Sequence, residues 1–150
     1  MQLYFAYGSN LLFSRMRDRV PSARLLERAR LPGVRLVFDK RGRDGSGKAN
    51  LREALGSSVW GVLYAIEPAG WEALDRHEGG YARVAVEAVG EEGELHAAAT
   101  YVAQVFTADA VPFDWYRKLV IEGAREHGLP PAYLAALESV PRRPDPRRVS

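Results

Sequence analysis

Glu78 and the run Tyr7-Gly8-Ser9-Asn10 are the residues of this 150-residue chain whose types and places suit chemistry. Glu78 follows Leu74-Asp75-Arg76-His77 and precedes Gly79-Gly80-Tyr81, which puts it at the C-terminal end of a short helix. The helix dipole disfavours negative charge there. Partial burial would add a desolvation penalty, and both effects raise a carboxyl pKa toward the range useful for proton transfer. A solvated glutamate at a helix end is the plainer alternative. Tyr7-Gly8-Ser9-Asn10 interrupts an apolar stretch (Leu3, Tyr4, Phe5, Ala6) that reads as a buried strand, and a helix-spaced run (Leu11, Leu12, Phe13, Met16) follows. A strand–turn–helix passage can leave several backbone N–H groups aimed at one point. Gly8 allows φ > 0 and a close ligand approach. Ser9 or Asn10 is expected to cap the helix, whose N-terminus favours a carboxylate or a developing oxyanion. Here the plainer alternative is an ordinary capped turn.

The elements that must position these residues follow from patterning. Strands are expected near 2–6, 24–31, 34–39, 49–53, 58–67, 81–90 and 94–103, with Glu91-Glu92-Gly93-Glu94 as a hairpin turn between the last two. Val84, Val86 and Ala88 alternate with Ala85, Glu87 and Val89, as in a half-buried strand. Helices are expected near 10–19, 69–77, 112–127 and 131–138. Pro68 falls in the first turn of the second, Pro112 opens the third and Gly128 closes it. Many strands with short links and few helices indicate an α+β fold whose sheet tends to close on itself.

Composition narrows the function classes. A chain of this length is one domain by prior and buries about 68–70% of its unfolded surface. There is no Cys, which excludes disulfides and thiol catalysis, and His77, His96 and His127 lack metal-ligand spacing. Net charge is +2, too small for a strong nucleic-acid field. No stretch reaches 18 apolar residues and no charged-then-apolar leader opens the chain, so a cytoplasmic protein without a membrane partner is expected. Oligomeric state is left open.

In order along the chain, the motifs resemble the γ-glutamylcyclotransferase family (γ-glutamylcyclotransferase-like, AIG2-like). They are Tyr4-Phe5-Ala6-Tyr7-Gly8-Ser9-Asn10-Leu11, Pro21-Ser22-Ala23, Ala29-Arg30-Leu31, Ala49-Asn50-Leu51 and Val59-Trp60-Gly61-Val62. They continue with Leu74-Asp75 ahead of Glu78-Gly79, Tyr116-Arg117-Lys118, and Gly123 to Pro130. The resemblance implies a small mixed β-barrel flanked by helices. It implies release of 5-oxoproline from a γ-glutamyl amino acid or amine, with Glu78 as catalytic acid/base and the backbone around Tyr7, Gly8, Ser9 and Asn10 holding the γ-glutamyl arm. Tyr116 matches a tyrosine at the start of the family's late helix that would donate to the substrate, with core packing as the alternative; Tyr81, following Glu78-Gly79-Gly80, is read as lining the pocket, and Asn50 as structural. The substrate's own α-amine attacks its γ-carbonyl, so the reaction asks for no metal, cofactor or enzyme nucleophile.

Two segments depart from the family pattern. The basic loop at residues 40–48 is placed to select the leaving group, and residues 104–112 are expected to rim the pocket. Residues 1–140 form the expected domain. Residues 141–150, rich in Pro and Arg, are expected to be a flexible solvated tail, alternatively a contact for an acidic partner. Some family members act on acyl-carrier-linked γ-glutamyl groups, so a carrier-linked substrate stands beside small ones. Two other functions fit the same residues: a γ-glutamyl or carboxylate-metabolite binding protein without turnover, and a transferase using an external amine.

Overall fold

The computed structural model describes residues 2–148. Its strands are β1 (Gln2–Ala6), β2 (Arg24–Arg41), β3 (Gly47–Ile66), β4 (Ala82–Gly90) and β5 (Leu95–Val102). They close into a barrel in the order β1-β3-β2-β4-β5. All neighbouring pairs are antiparallel except β1 and β5, which meet in parallel at Tyr4 and Ala99. The expected α+β class with a closing sheet is what forms.

The four short strands expected between residues 24 and 67 are instead two long ones. Gly33 and Gly56 adopt φ of +82° and +84°, a conformation glycine enters without steric cost. The ladder shifts register between Pro32 and Val34 rather than stopping. The turn signals therefore mark bends within strands, which let one hairpin curl around the barrel.

Four helices cover the barrel: α1 (Phe13–Arg19), α2 (Pro68–His77), α3 (Asp114–Glu126) and α4 (Pro131–Glu138). Pro68 sits at the first position of α2, where its missing N–H costs nothing, and Trp71 and Leu74 face the core. In α3, Tyr116, Val120 and Ala124 recur at four-residue spacing and are buried. Phe5, Val62, Leu63, Leu74 and Val120, fully buried, form the centre. Each such side chain contributes about 1.5–3 kcal/mol by leaving water.

The expected helix at 10–19 divides in two. Ser9–Leu11 forms a 3-10 turn and α1 begins only at Phe13. Neither Ser9 nor Asn10 caps α1; the N–H of Phe13 donates instead to Glu126 Oε2 of α3 at 2.9 Å. A carboxylate from a distant helix satisfies the end that local sequence was expected to satisfy.

Residues 141–148 are docked, contrary to the expected solvated tail. Arg143 bridges to Phe113, and its carbonyl accepts from Asp114 N at 2.8 Å. Asp145 is 4% exposed and accepts from Trp115 Nε1 at 2.9 Å and from Arg147 Nη2 at 3.0 Å. The one acidic residue of the run thus recruits partners that offset its burial. Val149 and Ser150, the last two residues of that expectation, lie outside the described residues.

Candidate active site

The turn after β1 is fixed through its carbonyls. Tyr64 O–H donates to the Asn10 carbonyl at 2.9 Å, and His127 Nε2 donates to the Leu11 carbonyl at 2.6 Å. Gly123 of α3 lies so close that a Cβ there would stand 2.5 Å from Leu11 Cβ. Gly8, Ser9 and Asn10 of this turn line a recess at the barrel mouth. Among the described residues, no backbone hydrogen bond uses the N–H of Gly8, Ser9 or Asn10 as donor. Three N–H groups on the lining of the recess thus have no backbone acceptor among the described residues, and such groups can serve an oxyanion or carboxylate.

Gly8 is required for a reason other than the expected one. Its φ is −108°, not positive. A Cβ on it would stand 3.0 Å from Ala49 Cβ and 3.6 Å from the Tyr116 hydroxyl. The glycine serves close approach of β1, β3 and α3.

Glu78 caps the C-terminus of α2, its N–H donating to the Leu74 carbonyl at 2.9 Å. Its side chain is 14% exposed, and Oε1 accepts from Asn10 Nδ2 at 3.1 Å. Burial raises the Glu78 pKa above the ordinary glutamate value; Arg19, Arg15 and Lys40, with the Asn10 hydrogen bond, pull it partway back. Asn10 is itself oriented, because Arg19 Nη1 donates to its Oδ1 at 3.3 Å and its Nδ2 also reaches the Tyr4 hydroxyl at 3.1 Å.

Tyrosines surround this carboxylate. Tyr4, Tyr7, Tyr81, Tyr101 and Tyr116, with Gly8, Ser9, Asn10, Ala49 and Glu78, line a recess of about 30 Å³. That is the volume of one water-sized group. The recess shares Ser9, Glu78, Tyr81 and Tyr116 with an outer cleft of about 350 Å³. The Tyr116 hydroxyl accepts from Ala49 N at 3.1 Å, while Tyr81 O–H donates to the Ala49 carbonyl at 2.6 Å. Tyr7 O–H donates to the Tyr101 carbonyl at 2.5 Å. Burial pushes the Tyr116 hydroxyl up to about 12 and raises the other four above the ordinary tyrosine value, so all five stay neutral. Among the described residues the Tyr116 hydroxyl accepts from the backbone and donates to none, which leaves its proton for a ligand.

The structure brings together every residue singled out in the sequence: Tyr7, Gly8, Ser9, Asn10, Glu78, Tyr81 and Tyr116. Asn50 stands apart, bonded to Asp39 and to Ala103 N. Residues 104–112 line neither cavity, contrary to expectation. They brace the 40–48 loop from behind, through Thr107 N to the Asp39 carbonyl and Gly47 N to the Val111 carbonyl. Tyr4, Tyr101, Arg15 and Arg19 were not singled out. Arg15 and Arg19 carried a signal, being four residues apart on one helix face just after the turn; Tyr101 carried none. The structure also gathers Glu27, Glu94 and His96, ligand atoms within 4.8 Å of one another, away from both cavities.

A five-stranded barrel whose mouth holds a carboxylate beside a Gly-Ser-Asn turn defines an AIG2-like protein, and the AIG2-like family profile matches residues 58–137. The γ-glutamylcyclotransferase of Homo sapiens is 33% identical over 147 residues, 92% of this chain and 78% of that protein. That of Bos taurus is 35% identical over 148 residues with the same coverage. A solved γ-glutamyl cyclotransferase superposes with a TM-score of 0.92 at 32% identity, over 99% of this chain and 93% of the other. YkqA from Bacillus subtilis shares the fold, with a TM-score of 0.80 at 24% identity over 94% of this chain and 55% of that one. The chain belongs to the γ-glutamylcyclotransferase family.

Proposed function

We propose that this chain releases 5-oxoproline from a γ-glutamyl amino acid or amine, with Glu78 as the single acid/base. The observation that carries this reading is a shielded, pKa-raised carboxylate beside three backbone N–H groups without backbone acceptors among the described residues. The substrate's α-ammonium, with a pKa of about 8 in peptides, gives a proton to Glu78. The freed amine attacks the γ-carbonyl carbon and closes a five-membered ring. Negative charge moves to the carbonyl oxygen, where N–H groups of the Gly8–Asn10 turn or the Tyr116 hydroxyl would stabilise it. The tetrahedral intermediate collapses as protonated Glu78 gives its proton to the leaving nitrogen and the bond to that nitrogen breaks. The regenerated carboxylate takes the extra proton from the ring nitrogen, leaving a neutral lactam, and passes it to the released amine, which departs as an ammonium.

Since the nucleophile belongs to the substrate and one carboxyl handles every proton transfer, the sequence of steps needs no metal. Acid–base help of this kind supplies about 10²–10⁴-fold, and the remainder comes from holding the arm folded. In this reading the enzyme is an acyl-transferring cyclase, and the cytoplasmic setting expected from the sequence goes with it. No helix of the described residues is long and apolar enough to cross a membrane.

The test is mass-spectrometric detection of 5-oxoproline from a panel of γ-glutamyl amino acids and amines, with Glu78→Gln beside wild type. Release by wild type and loss in the variant are expected. A new amide without 5-oxoproline would mean an external-amine transferase. Binding without any product would turn the reading to a metabolite-binding protein or a carrier-linked substrate.

A further inference from the structure

The outer cleft holds more positive charge than this chemistry uses. Arg15, Arg19, Lys40, Arg43, Lys48 and Arg76 line it, against the single carboxylate of Glu78. The chain as a whole is only +2, so this is a local accumulation rather than a general basicity. Two of the cations are engaged by carboxylates: Arg19 stands 3.8 Å from Glu78 and Lys48 is 3.2 Å from Asp44. The other four have none among the described residues. Arg15 donates to Ser9 Oγ at 3.0 Å and Lys40 lies over the Tyr81 ring at 5.1 Å, both neutral partners. Arg43, on the loop between β2 and β3, and Arg76, in the last turn of α2, take no ion pair or side-chain hydrogen bond among the described residues. Like charges crowded in a partly desolvated cleft repel one another. The strain shows as lowered pKa values at Arg15 and Lys48, caused first by burial and also by neighbouring cations. A bound anion relieves that repulsion.

Charge matching then indicates the substrate. The γ-glutamyl arm brings one α-carboxylate, and a leaving amino acid with an apolar side chain brings one more. Four cations without carboxylate partners exceed that by two. Arg15, Arg43 and Arg76 carry guanidinium forks suited to carboxylate oxygens. Resting on the reaction in the preceding subsection, we propose that the leaving amine carries at least two negative charges. It is a dicarboxylic amino acid or a short acidic peptide, held by Arg43 and Arg76 at the cleft, and not a neutral amine or a lysine side chain.

The experiment compares kcat/KM for γ-glutamyl-aspartate, γ-glutamyl-alanine and γ-glutamyl-methylamide, on wild type and on the Arg43→Ser/Arg76→Ser double variant. At about 50 mM salt the aspartate substrate should lead the alanine one by about tenfold or more, and the methylamide should be poorest. The lead should collapse near 0.5 M salt, by screening, and in the double variant. An aspartate substrate no better than the alanine one, or a lead unaffected by the double substitution, would overturn the proposal. If no substrate releases 5-oxoproline, the reaction reading fails, but the charge question is still decided. Calorimetric Kd values of the same three compounds on Glu78→Gln protein should keep the same order, and equal Kd values overturn the inference.

Discussion

Asn10 and Glu78 form one unit across the barrel mouth: Nδ2 of the amide donates to Oε1 of the carboxylate at 3.1 Å. The residues are 68 positions apart, and each is set by its own element, one by the 3-10 turn and one by the C-terminus of α2. Arg19 fixes the amide from its oxygen side, so Asn10 meets the carboxylate only as a donor. The pair orients the proposed base and moderates the rise in its pKa that burial causes.

Replacing Glu78 by Gln keeps the shape and removes the base. A fall in kcat of roughly 10²–10⁴ is expected, with KM little changed. Steady-state kinetics checks this, alongside circular dichroism to establish that the fold is kept.

Activity should fall with acidification as Glu78 takes a proton, and the raised pKa places this limb at higher pH than for an ordinary glutamate. Asn10→Ala removes a hydrogen bond that favours the charged form, so the limb should move further up in pH while kcat drops. A pH profile separates this positioning role from simple loss of fold, which would lower the curve without moving it.

The same shift predicts a stability change of opposite sense. A carboxyl whose pKa is higher folded than unfolded binds its proton more tightly in the native state, so it costs stability above the folded pKa. That cost fades as pH falls toward the unfolded value. Glu78→Gln should therefore melt above wild type at about pH 8 and converge with it near pH 4, each pKa unit corresponding to about 1.4 kcal/mol. Thermal denaturation at the two pH values decides it.

Gly8→Ala should reduce kcat/KM by about tenfold or more, because its methyl meets Ala49 at 3.0 Å and must displace the turn. Adding Ala49→Gly removes the contact and should restore most of the activity. Without that rescue, crowding against Ala49 is not the reason for glycine at position 8.

Asp145→Ala should lower stability by about 1–3 kcal/mol, since it strands the Trp115 indole N–H and releases Arg147. Arg147 also reaches Asp44 at 3.3 Å, tying the segment to the loop that carries Arg43. At about 2–4 °C per kcal/mol, the Tm shift is readily measured. An unchanged Tm would return residues 141–148 to the status of a solvated tail.

Much of this protein was legible in the chain itself. Helix boundaries at Pro68, Gly128 and Pro131, the hairpin at Glu91–Glu94 and the position of Glu78 at a helix end all follow from local chemistry that neighbours within a few residues impose. The motifs from Tyr7 to Asn10 and around Glu78 pointed to a family and an α+β barrel. What local sequence could not supply was anything requiring residues distant in the chain to meet. Gly33 and Gly56 read as ends of strands because a positive-φ glycine looks the same in a turn and in a bend. The cap of α1 comes from Glu126, more than a hundred residues away, and Asp145 turns a basic tail into a docked segment by finding Trp115. Most of all, the shift in the Glu78 pKa and the crowding of cations around it arise from burial and proximity. Those are properties of the space between elements, and that space exists only once the barrel has closed.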